Sequence, residues 1–93
     1  MLLSLTEYRT KLITKIMFAS SQDEVKRYIN TAIKSLEQHN LNGHIVYRFT
    51  EKMLGELESF NPMNKDAQQW SNIKMARICL KQFKRKLELA SQL

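Results

Sequence analysis

The sequence predicts an all-α protein, an antiparallel up-down four-helix bundle with a long C-terminal helix. Two glycines and one proline among 93 residues are too few to serve the many turns of an all-β fold. Apolar residues recur at spacings of three and four along most of the chain, the period of an amphipathic helix. Three short breaks, near residues 19–21, 40–43 and 61–64, divide that pattern into four stretches. Short connections favour antiparallel neighbours. The length suits one domain, residues 1–93, and excludes a dinucleotide-binding unit of two halves or a (β/α)₈ barrel.

The first helix is expected over about residues 5–18. Ser4 and Glu7 have the spacing of a capping box, in which hydroxyl and carboxylate satisfy orphan N–H groups. Leu5, Tyr8, Leu12, Ile13, Ile16 and Ala19 form its apolar stripe. Ser21 and Glu24 repeat the box, so a second helix is expected over 22–39. Its stripe, from Val25 through Tyr28, Ile29, Ala32 and Ile33 to Leu36, falls within about 140° at 100° per residue.

Asn40-Leu41-Asn42-Gly43 breaks the pattern with residues that tolerate helix-ending geometry. The third helix is expected over 44–60, with Val46, Phe49, Met53, Leu57 and Phe60 on one face, and Asn61-Pro62 stops it. Asn64 is the expected N-cap of a fourth helix over 65–91, with Asp66 in its first turn. That helix would run ~40 Å at 1.5 Å per residue. Ile73, Ala76, Leu80, Phe83, Leu87 and Ala90 form a heptad seam along it.

The net charge of +6 is concentrated at one end. Residues 65–93 hold seven Lys/Arg against two Asp/Glu, a bias that suits an acidic partner or a solvated helix. The single Cys79 has no intramolecular disulfide partner, which suits a reducing compartment. Glu7, Arg9 and Lys11 interrupt the apolar start before a signal-peptide core could form, and no run reaches a membrane span. A cytoplasmic protein without membrane attachment is expected.

No pattern points to catalysis or to a cofactor. His39 and His44 flank the Asn-rich turn, but two histidines five apart lack the paired spacing of a zinc site. Cys79 sits beside the seam, where a buried, inert thiol is the ordinary reading. There is no Gly-rich phosphate loop and no Gly-x-Ser-x-Gly elbow. The arginine pattern does not match helical chorismate mutases. His44 is followed by Ile45 and Val46, unlike the Lys-Gly of a phosphotransfer histidine. No enzyme, metal, cofactor or small-molecule substrate is expected.

The fourth helix carries two further patterns. With Ile73 at zero, Lys74, Arg77, Lys81, Lys84 and Arg85 lie within about 100° of one another at 100° per residue. Such a stripe could track a phosphate backbone, although no aromatic residues interleave with it. Opposite the seam lies a second apolar set, Met75, Ile78, Leu89 and Leu93. One apolar face is all that a surface helix needs. A second face implies a central position or contact with another chain. Tyr47 and Leu54 stand similarly apart on the third helix. The expected function is protein–protein association through Met75, Ile78 and Leu89 with Tyr47 and Leu54 nearby, as a homodimer or with an unknown protein partner. The alternative is nucleic-acid binding by the five cations.

Overall fold

Both serine caps form. The Ser4 hydroxyl accepts the Glu7 amide at 3.1 Å and opens α1 (Leu5–Met17). The Ser21 hydroxyl accepts the Glu24 amide at 3.2 Å and opens α2 (Gln22–Gln38). Asn42 caps α3 (Gly43–Ser59) by accepting the His44 amide at 2.8 Å. Gly43 therefore begins a helix rather than closing one. The computed structural model describes residues 4–39 and 41–91.

The start of the last helix differs from the expectation. Pro62–Asn64 forms a single 3₁₀ turn, so Asn64 is not an N-cap. The cap is Asp66: its carboxylate accepts the Gln69 amide at 2.7 Å while the Gln69 side chain accepts the Asp66 amide at 3.3 Å. This reciprocal pair satisfies two groups at the helix entrance. It sets the start of α4 (Ala67–Ser91) two residues later than the sequence suggests.

Side-chain pairings fix the helix directions. Gln22, at the start of α2, reaches Ser71, near the start of α4, so these two run the same way. Tyr47 meets Glu88 and Glu51 meets Lys84, so α3 and α4 run oppositely. The four helices form a bundle of alternating direction. α1 and α4 pack against each other and against both remaining helices, whereas α2 and α3, consecutive in the chain, scarcely touch. α4 thus has three helical neighbours. Its 25 residues span about 37 Å at 1.5 Å per residue, close to the 40 Å long dimension of the molecule.

The core joins all four helices. Ile16, Val25, Ile29, Met53, Leu57, Ile73 and Ala76 are fully buried at its centre. The α4 seam is buried through Leu80, half-buried at Phe83 and Leu87, and exposed at Ala90. Among the described residues, two polar side chains lie within the core. Thr50 donates to the Val46 carbonyl at 2.9 Å. Asn72 donates to the Ala19 carbonyl at 2.8 Å and accepts from Gln68 at 2.9 Å. Each satisfies the requirement that a buried polar group be hydrogen-bonded. No helix among the described residues is long and apolar enough to cross a membrane.

Candidate functional site

α4 presents one face that no other helix covers. Ile78 is 51 % exposed and Leu89 56 % exposed. Eleven residues separate them, so they lie three turns and about 16 Å apart, nearly in line on the helix. Lys74, Lys81 and Arg85 are exposed on the same side. The result is a strip of two apolar side chains bordered by three cations.

The other members of the expected contact surface are placed differently. Leu54 is 5 % exposed and belongs to the core, which corrects its assignment to an outer face. The physical reason is that α3 packs against both α1 and α4, so its buried arc is wider than one stripe. Met75 is half-buried against the core, because α4 has helices on three sides. A central position accounts for Met75 but leaves Ile78 and Leu89 uncovered. Leu93 lies outside the described residues.

Tyr47 is half-buried in the α3–α4 seam. Its hydroxyl donates to Glu88 at 3.0 Å, and Lys84 lies 5.6 Å from its ring centre. The Glu88 hydrogen bond, then burial, holds the Tyr47 hydroxyl above the usual tyrosine range. Lys84 also pairs with Glu51 at 3.7 Å. This cluster fastens α3 to α4.

The five-cation stripe is therefore broken up. Lys84 is engaged by Glu51 and Tyr47, and Arg77 is half-buried with its Nε lacking a hydrogen-bond partner. Three exposed cations, spaced by Ile78, remain for any outside anion. No aromatic ring stands among them, so stacking of bases has no platform on this face.

Cys79 is half-buried, and burial pushes its thiol above the ordinary range. At neutral pH it is the protonated thiol, a weak nucleophile. His39 directs Nδ1 to the Ser35 carbonyl at 2.7 Å, and His44 sits exposed in the first turn of α3. Among the described residues, no three of His, Cys, Asp or Glu gather into a metal-holding group.

Sequence reasoning did not find a groove between α1 and α2. Tyr8, Lys11 and Lys15 line one wall, and Arg27, Tyr28 and Thr31 the other. Its signal is divided between two helices, four residues apart on each, and emerges only when the helices pair. No known protein family matches the chain, and neither a curated protein nor a solved structure matches it.

Proposed function

We propose that this protein is a non-enzymatic association module that pairs with a second copy through the outer face of α4. The observation that carries the reading is the exposure of Ile78 and Leu89 in line on a helix whose other described large apolar residues are buried or half-buried. Apolar side chains in a row across three turns form the ridge that helix–helix contacts use. A two-fold contact with antiparallel α4 helices sets Ile78 of one copy opposite Leu89 of the other, and so satisfies both at once. Met75, half-buried, and Tyr47, engaged with Glu88 and Lys84, do not lie on this strip. The single thiol suits a cytoplasmic setting.

The charges give the reading a sign. Lys74, Lys81 and Arg85 of both copies would approach one another, so repulsion opposes pairing at low salt and is screened as salt rises. Light scattering across a series of protein concentrations, at low and high salt, tests this. The expected result is a mass that moves from monomer towards dimer with concentration, more readily at high salt. Ile78→Glu should return it to monomer. A monomer under all conditions removes self-association.

Nucleic-acid binding by α4 is the second reading, supported by the exposure of Lys74, Lys81 and Arg85. It predicts retention on mixed nucleic acid at low salt and release as salt rises, the opposite salt dependence.

A further inference from the structure

The groove between α1 and α2 has a chemistry that α4 lacks. Its floor is apolar, made by buried Leu12 and Ala32. Its walls carry two half-buried aromatic rings, Tyr8 from α1 and Tyr28 from α2. Its rim carries three exposed cations, Lys11, Lys15 and Arg27. Among the described residues, no carboxylate lines it. The volume of about 460 Å³ falls within the range of small-molecule sites.

Regular helix geometry explains the arrangement. On α1, Tyr8 and Leu12 are four apart, as are Lys11 and Lys15; on α2, Arg27 and Thr31 are four apart, as are Tyr28 and Ala32. Residues at this spacing share a helix face. Each helix therefore contributes an inner apolar pair and an outer polar pair to the trough. Ala32 supplies only a methyl where Ile29, Ile33 and Leu36 bring long chains, which leaves the floor low.

Both rings are held in place. One side of Tyr8 stacks on Phe49, with ring centres 6.0 Å apart and planes at 29°. The Tyr28 hydroxyl donates to Glu24 at 3.0 Å, and the Lys15 ammonium lies 5.7 Å from the Tyr28 ring centre. Glu24 is already occupied by the amide and hydroxyl of Ser20 as well as by Tyr28. Its contact with Arg27 is long, 3.8 Å, and Arg27 is 72 % exposed. The guanidinium is therefore open to a better anion.

We infer that this groove binds a phosphorylated aromatic of nucleotide type, its flat ring between Tyr8 and Tyr28 and its phosphate at Lys11, Lys15 and Arg27. A bare anion would leave the rings and apolar floor uncovered, and an uncharged aromatic would leave the cations unused. Arginine suits phosphate through its planar fork. Aromatic platforms beside cations are the pairing by which proteins hold single-stranded nucleic acid. The same chemistry reaches the groove from a free nucleotide or from one unit of a strand. This site uses α1 and α2 alone and stands apart from the association proposed for α4.

Titration of ¹⁵N-labelled protein at low salt with adenosine monophosphate, inorganic phosphate and a short single-stranded oligonucleotide distinguishes these sources. The expected result is saturable shifts of the amides around residues 8–15 and 27–32, from the mononucleotide or from the oligonucleotide alone. The first identifies a free nucleotide and the second a strand. Lys15→Glu with Arg27→Glu should weaken binding about tenfold or more, whereas Lys74→Glu with Lys81→Glu should leave it within about twofold. Lys15→Gln with Arg27→Gln provides the same comparison if the reversed variant does not fold. Absence of saturation by either nucleotide ligand overturns the inference. So does binding of inorganic phosphate as tight as that of the nucleotide, or greater loss from the α4 reversal than from the groove reversal.

Discussion

Asn72 hands its side-chain amide to the carbonyl of Ala19 at 2.8 Å, with Asn72 fully buried and Ala19 3 % exposed. This bond pins the second turn of α4 to the α1–α2 connection, 53 positions earlier in the chain. Asn72→Leu would leave the Ala19 carbonyl buried without this donor, at a cost of about 1–3 kcal/mol. Urea unfolding followed by circular dichroism checks this. A loss below a few tenths of a kcal/mol would mean that water reaches the carbonyl.

Leu54 and Leu89 make a matched pair for testing where the core ends. Leu54→Ala should cost about 2–5 kcal/mol, as for a buried leucine. Leu89→Ala should change the stability of the monomer by no more than about 0.5 kcal/mol. Thermal melts at low protein concentration compare the two directly. Equal effects would contradict the placement of Leu54 inside and Leu89 outside.

Gly55 lies within α3 at an exposed position, with open space where a methyl group would project. A helical glycine carries an entropic cost that alanine does not. Gly55→Ala should stabilise the fold by about 0.5–1 kcal/mol and raise Tm by several degrees. A calorimetric scan measures it, and a lowered Tm would show a constraint at that position beyond helix propensity.

Acid should weaken the α1–α2 corner through Glu24. The Ser20 amide, then the Tyr28 and Ser20 hydroxyls, hold its carboxyl below the ordinary value of 4.5. A folded-state pKa below the unfolded one gives stability that is present above 4.5 and lost as pH falls through the lower folded value. Glu24→Gln should flatten this part of the acid limb. Denaturant midpoints measured between neutral pH and about pH 3 test it, and parallel curves for the two proteins would rule it out.

The local signals were legible where they involved neighbouring residues. Ser4–Glu7 and Ser21–Glu24 show their caps in the sequence because a cap needs only one turn of chain. The Asn64 assignment failed for a similarly local reason. Asn64 and Asp66 both precede the last helix as residues able to cap it, and the 3₁₀ turn of Pro62–Asn64 leaves Asp66 to meet the Gln69 amide. Leu54 and Met75 could not be placed from one helix at a time. An angular stripe shows which residues share a face, whereas burial depends on how many helices surround it. The α1–α2 groove was hidden for the same reason, since Tyr8 and Tyr28 come together only through pairing.

Synthesis order gives the three-sided packing of α4 a consequence of its own. Of the two helices that touch all the others, α1 and α4, the one packed more fully against α2 and α3 is made after them. Before it emerges, α2 and α3 have little contact with each other, and the faces carrying Val25, Ile29, Met53 and Leu57 lack their shared cover. A nascent chain translated as far as Asp66 therefore displays much of its future interior to solvent or to a chaperone. Closure awaits Ile73 and Ala76, so it is α4 that gives the three helices before it their shared core.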